Sequence, residues 1–139
     1  MSLWVLDTDM VSLMAQHHPG VMAMALARPT DSVTVTIVTV QEVFIGRYNK
    51  IKQAQQPRKL IAAYSQLESS VNLLRKLPIL SYDSLAANQY AVLRPQYRRL
   101  SKNDLRIAAI TMSRSAILVT ANLADFGQIS GLPTEDWSK

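Results

Sequence analysis

The stretch Leu3-Trp4-Val5-Leu6-Asp7-Thr8-Asp9 is an unbroken apolar run stopped by an acid. Consecutive apolar positions fit a short strand buried on both faces, the setting of a parallel sheet, better than they fit a half-exposed strand, which alternates. The chain then turns helical. Met10, Leu13 and Met14 stand at i, i+3 and i+4, and beyond a Pro19-Gly20 turn Val21, Met22, Ala25 and Leu26 repeat that spacing. A helical hairpin is expected, with Met10, Met14, Met22 and Met24 either in the core or lining an adaptable apolar groove.

Working outward, Ser32 to Val40 is dense in Val, Thr and Ile and reads as a second strand, with helical character from Gln41 to Tyr48. Residues 57 to 77 begin with Pro57 and carry Leu60, Ile61, Tyr64, Leu67, Val71 and Leu74 at spacings of three and four, which predicts a long amphipathic helix. Pro78-Ile-Leu-Ser-Tyr82 is a short third strand. Asp83 is expected to cap a helix running to about Tyr97, bent or broken near Pro95, and Asn103 to cap another through Ile107, Ala108, Ile110 and Thr111. Ala116-Ile-Leu-Val-Thr120 is the fourth strand. Strands alternating with helices predict an α/β three-layer sandwich around a central, mostly parallel sheet of four to five strands.

Composition bounds the function. The 139 residues, 48% hydrophobic and 18% charged, make a single domain over 1–139 and exclude a disordered tail or a two-domain enzyme. The absence of cysteine excludes a disulfide framework, a thiolate metal site and a cysteine nucleophile. Four glycines, at 20, 46, 127 and 131, supply no phosphate-cradling loop after the first strand, so no organic cofactor is expected. The longest uncharged run, between Asp9 and Arg28, is broken by Gln16-His-His-Pro-Gly20 and reads as two short helices rather than a membrane span. His17 and His18 read as part of a solvated turn. The first residues lack a secretory signal pattern, and a cytoplasmic protein is expected.

The acids follow the rule that sites in parallel sheets form beyond the carboxyl ends of strands. Asp7 follows strand one, Glu42 follows strand two, Asp104 opens the helix leading to strand four, and Asp125 lies just past that strand. Each could be a helix cap taken singly. Together they conflict, since two carboxylates ~4 Å apart repel by ~1 kcal/mol in water and ~4 kcal/mol at an effective dielectric of 20. A hard divalent ion with oxygen ligands, Mg²⁺ or Mn²⁺, relieves that repulsion. Thr8, Thr39 and Thr120 are candidates to orient carboxylates, although threonine beside a strand also serves β-propensity alone. Gly46 inside a helix costs roughly 1 kcal/mol against alanine, so it marks either an interruption or a close approach.

The net charge is +5, and setting aside four carboxylates at −1 each leaves the rest of the chain at +9. Arg47, Lys50, Lys52, Arg58 and Lys59 fall in one acid-free segment; Arg94, Arg98, Arg99 and Lys102 fall in another. An acidic pocket with basic flanks suits a phosphodiester substrate, with Arg47, Lys50, Arg98, Arg99 and Lys102 as candidates to contact its phosphates.

Leu6-Asp7-Thr8-Asp9, Thr39-Val-Gln-Glu42-Val-Phe-Ile-Gly46, Asn103-Asp104-Leu-Arg-Ile-Ala-Ala109, Leu118-Val-Thr-Ala-Asn122-Leu-Ala-Asp125-Phe126 and Gly131-Leu-Pro-Thr-Glu-Asp-Trp137 together resemble PIN domains, in particular VapC-type toxins of bacterial toxin–antitoxin pairs. The motifs arrive in family order over nearly the whole chain. The resemblance implies a Mg²⁺-dependent endoribonuclease in which Asp7, Glu42 and Asp104 form the acidic triad. Asn122 and Asp125 both qualify for the fourth position, with Asp125 the charged contributor. The resemblance also implies close packing at Gly46, a cognate antitoxin whose tail covers the methionine groove and the pocket, and a homodimer. The chain departs from the family pattern in carrying Asp9 where Asn is frequent, an added acceptor or a helix cap, and in having Leu100-Ser-Lys-Asn103 where a glycine usually precedes the third acid. Asn103 and Asn122 join the threonines as candidate supports of the acids.

Two other readings compete. Asp7-Thr-Asp9-Met-Val11 also matches the start of haloacid-dehalogenase-like phosphatases, which need a later lysine and a paired-acid motif. A non-catalytic nucleic-acid- or partner-binding module is the third.

Overall fold

β1 (Trp4–Leu6) occupies the centre of a five-stranded sheet, the position its two-sided apolar run demands. In this computed structural model, which describes residues 2–139, the order is β3-β2-β1-β4-β5, formed by β2 (Val33–Thr36), β3 (Ile79–Leu80), β4 (Ile117–Val119) and β5 (Thr134–Glu135), every pairing parallel. Leu6 lies beside Val35 on one side and Val119 on the other. The chain builds outward from β1 to one edge and then returns to place β4 on β1's other side. The strand order therefore reverses between β1 and β4, where a crevice opens at the carboxyl ends.

Helices cover both faces. Val5 and Leu118 enter a core with α5 (Ser84–Gln96) and α6 (Lys102–Ser113), through Ala86, Leu93, Leu105, Ala108 and Ala109. Leu6 and Val119 enter the opposite core with α1 (Thr8–Ala15), α2 (Pro19–Leu26) and the end of α4 (Pro57–Leu74). Full burial of each such side chain stabilises by ~1.5–3 kcal/mol. The architecture is the expected three-layer α/β sandwich, with the sheet five-stranded and wholly parallel. Among the described residues, no helix is long and apolar enough to cross a membrane.

Several boundaries differ from the sequence expectation. The strand expected over Ser32–Val40 ends at Thr36, whose hydroxyl accepts the Thr39 amide at 3.1 Å and starts α3 (Ile37–Gln53). Val38 and Val40 are buried in opposite cores. That burial outweighs a helix-propensity cost of up to ~0.7 kcal/mol per residue. Pro19 and Gly20 do not form the turn of the hairpin. They open α2, capped by His18 Nδ1 accepting from Val21 N at 3.2 Å, while His17 turns the chain at φ 56°. A β-carbon at Gly20 would stand 2.9 Å from the Trp137 carbonyl oxygen, so glycine lets the C-terminal segment pass close. Ser101, not Asn103, caps α6, accepting from Asp104 N at 3.0 Å. α4 stops at Leu74 rather than 77, Asp83 caps α5 as expected, and Pro95 is accommodated in that helix's last turn.

Two further expectations meet the structure. Of the two alternatives for the methionines, Met10 and Met14 take the core, and Met22 and Met24 pack half-buried against that same core. Gly46 is exposed, and a β-carbon there would meet nothing within 4 Å. Within the described residues it marks no close approach.

Candidate active site

A cleft of about 210 Å³ opens at the reversal of strand order, lined by Asp7, Thr8, Asp9, Glu42, Asp104, Ile107, Asn122 and Phe126. Four separate stretches of chain meet here. Asp7 ends β1: its amide donates to the Val119 carbonyl at 3.0 Å, and its carboxylate accepts from Met10 N at 2.8 Å as the cap of α1. Thr8 and Asp9 follow in the first turn of α1, Glu42 lies in α3, and Asp104 lies in the first turn of α6. Asn122 caps α7 (Leu123–Phe126) after β4. Ile107 and Phe126, 1% and 2% exposed, make a dry floor.

The two innermost acids are perturbed. Burial pushes the Asp7 carboxyl up to about 6, with Asp9 and Asp104 adding repulsion while Thr120 and the Met10 amide oppose the rise. Burial also raises Asp104, reinforced by Glu42, Asp125 and Asp9 and opposed by the Ser101 hydroxyl. No lining residue is cationic, so the negative charge is unanswered. This also leaves the phosphatase reading without its lysine at the site.

Hydrogen bonds prepare one acid in particular. Thr8 Oγ1 donates to Glu42 Oε1 at 2.5 Å and stands 3.4 Å from Thr39 Oγ1, and Asn103 Nδ2 donates to Glu42 Oε2 at 3.4 Å. Thr8 and Asn103 thus hydrogen-bond the two oxygens of Glu42, and Thr39 stands beside Thr8. Thr120 Oγ1 accepts from the Asn122 amide at 2.9 Å. Asp125 stands one step back: its carboxylate accepts from Asn122 Nδ2 at 3.1 Å, and it does not line the cleft. Asn122 is the fourth lining position, and Asp125 acts on the site through it and through its field on Asp104.

An all-oxygen, net-negative donor set fits a hard divalent cation. Among the described residues no three acids or histidines already converge closely enough to hold an ion. Larger hollows lie along α4, for example about 560 Å³ beside Pro57, Leu60, Ile61 and Tyr64, but Glu68 is the one carboxylate lining it.

The basic residues divide. Arg47 is spent within the fold, Nε donating to Ser70 Oγ at 2.9 Å and a terminal nitrogen to Gln66 Oε1 at 3.3 Å, and so braces α3 against α4. Lys50 is exposed beside α4, away from the cleft lining. Arg98, Arg99 and Lys102 are exposed on the segment entering α6, directly before Asp104. That segment needs no glycine, because among the described residues positive φ occurs at His17, Ser115 and Gly131, all elsewhere. Sequence reasoning missed Ser101 and Arg106. Ser101 was signalled by Ser-x-x-Asp at the start of a helix; Arg106, which donates to Asn103 Oδ1 at 3.0 Å, carried no local signal.

No family model matches the chain. It is 28% identical over 141 residues to Ribonuclease VapC1 of Haemophilus influenzae strain R2866, covering 99% of each. It is 26% identical over 139 residues to the tRNA(fMet)-specific endonuclease VapC of Shigella flexneri, covering 97% of this chain and 98% of the relative. Among solved structures, a DNA-bound VapBC from Salmonella typhimurium superposes with a TM-score of 0.82 at 24% identity, and VapBC-1 from nontypeable Haemophilus influenzae with 0.77 at 21%, each match covering 99% of both chains. By fold and by similarity along nearly its whole length, the chain resembles the VapC-type PIN-domain proteins.

Proposed function

We propose that this protein is a divalent-metal-dependent endoribonuclease, a single domain over 1–139, acting as the toxin of a toxin–antitoxin pair. The observation that carries the reading is the cleft in which Asp7 and Asp104 are both raised by burial and by neighbouring acids, with no cation among the lining residues. Asp7, Glu42 and Asp104 would hold the ion, Mg²⁺ or Mn²⁺, aided by Asn122 and, behind it, Asp125. Such an ion supplies charge stabilisation at the phosphate and a bound water of lowered pKa. The chain's own residues supply the rest. Thr8 and Asn103 hold both oxygens of Glu42. Ile107 and Phe126 exclude water from the floor, which strengthens every charge interaction above it. Arg98, Arg99 and Lys102 meet the phosphates flanking the scissile one, and their contacts confer affinity without sequence choice.

RNA is the substrate, and a tRNA is the first to test, because one relative bears the name of a tRNA(fMet) endonuclease. An antitoxin partner is supported by the VapBC complexes among the similar structures; a homodimer belongs to the same reading. Purified protein should cut RNA with Mg²⁺ and stop in EDTA. Asp104→Asn, which keeps the helix start, should lower cleavage by at least about a hundredfold, since several kcal/mol of charge stabilisation is lost. Undiminished cleavage in EDTA would defeat the metal mechanism. Co-expression with the neighbouring gene's product should silence the activity; no complex and no relief would remove the toxin role and leave a nuclease.

A further inference from the structure

We propose that Arg106 is a positioning residue that sets the carboxylate of Glu42 through the amide of Asn103, an inference that rests on the cleft being the metal-holding site. Arg106 and Asn103 lie one turn apart on α6. A terminal nitrogen of Arg106 donates to Asn103 Oδ1 at 3.0 Å, and Asn103 Nδ2 donates to Glu42 Oε2 at 3.4 Å. A carboxamide accepts at one end and donates at the other, whereas a guanidinium only donates. With Arg106 on its oxygen, the Asn103 amide must turn its N–H toward Glu42. Freed from Arg106, the amide can reverse and present oxygen to a carboxylate, which repels it.

The guanidinium is available for this task and is itself held. It sits 5.7 Å from the centroid of the Tyr90 ring on α5, within cation–π range. The ion pairs among the described residues are Arg28–Glu135 and Arg114–Asp83, so Arg106 is committed to neither. It does not line the cleft. Its influence reaches the acids through Asn103, while Thr8 fixes the other Glu42 oxygen from α1 at 2.5 Å. Glu42 is thereby tied to both helices that carry the neighbouring acids Asp9 and Asp104. Partners of this kind typically change metal affinity by 10–100-fold when removed.

The test measures Mn²⁺ affinity by calorimetry without RNA, beside RNA cleavage and thermal melting, for the full chain and its variants. Arg106→Met and Asn103→Leu are each expected to weaken Mn²⁺ binding about tenfold, and the double variant to bind no more weakly than Asn103→Leu alone. Arg106→Lys, which restores a charged donor, should lie within about threefold of wild type. Additive losses in the double variant, or wild-type Mn²⁺ affinity in Arg106→Met, overturn the inference. If Arg106→Met does not fold, wild-type affinity in folded Asn103→Leu overturns it equally. Glu42→Gln separates the two levels: should it bind Mn²⁺ and cleave RNA like wild type, the reading of the cleft fails; should it lose both while Arg106→Met loses neither, only the positioning role fails.

Discussion

Arg28 and Asp7 are both ionisable groups drawn into the body of the protein, and their surroundings answer them in opposite ways. Arg28 lies between two indoles, 4.6 Å from the Trp4 centroid and 4.7 Å from that of Trp137. It also donates to the Met24 carbonyl at 2.6 Å and stands 3.6 Å from Glu135, which in turn accepts from Trp137 Nε1 at 3.0 Å. Charge, ring faces and a carboxylate meet in that cluster, with Trp4 Nε1 and Arg28 Nε buried there without a hydrogen-bond partner among the described residues. Asp7 has two amide or hydroxyl partners, Asp9 and Asp104 as electrostatic neighbours, and no cation lining its cleft. A charge completed from within the chain holds the fold together. A charge that the chain leaves unanswered, as in the Asp7 cleft, is the one that the proposed function assigns to a bound cation.

The contrast can be broken most sharply at Arg28. Arg28→Ala removes two cation–π contacts, the ion pair to Glu135 and the packed stem of the side chain, so a loss of about 2–4 kcal/mol is expected in urea unfolding, with Arg28→Lys recovering part of it. A loss below 0.5 kcal/mol, on the order of an ordinary surface change, would show that the cluster is packing without electrostatic content.

Asp7→Asn should move stability the other way. The Asp7 carboxyl is raised from 3.8 to about 6, so the folded state binds its proton more tightly than the unfolded chain does. The resulting stabilisation is present below about pH 4 and is lost as pH rises through about 6. Without added metal, Asp7→Asn, which can still cap α1, should therefore be more stable than wild type by about 1–3 kcal/mol at pH 7, with the gap closing near pH 4. An equal gap at both values would assign the effect to packing. Saturating Mg²⁺ should narrow the gap at pH 7 by stabilising wild type alone.

The smallest effects come from two glycines of opposite setting. Gly20→Ala pushes a methyl to 2.9 Å from the Trp137 carbonyl, and should cost about 1–2 kcal/mol and loosen the C-terminal segment, visible as altered tryptophan fluorescence. Gly46→Ala meets nothing within 4 Å in the middle of α3 and should stabilise the isolated chain by roughly 0.5–1 kcal/mol.

Much of this was legible from local patterns. The apolar runs at Leu3–Leu6 and Ala116–Thr120 announced central parallel strands, and the spacing from Leu60 to Leu74 announced α4. Three of the four acids chosen from strand ends, Asp7, Glu42 and Asp104, line one cleft. The failures were also local in origin. Thr36 and Ser101 set helix starts through single hydroxyl bonds to amides three residues on, which composition at Ile37–Val40 and the asparagine at 103 obscured. The methionines were ambiguous because an apolar stripe looks the same whether it faces a partner or the core.

The sequence by itself determined the succession of strands and helices, the sheet end at which the acids gather and the sign of the charge around them, because periodicity and capping act within a few residues. Only the tertiary structure decided that Asn122 faces the cleft with Asp125 behind it, that Arg47 is a brace, that Arg106 reaches Glu42 through Asn103, and that Trp4, Arg28 and Trp137 share one stack. Those facts depend on packing between elements distant along the chain, where side-chain direction and burial select among partners that the residue types alone leave equivalent.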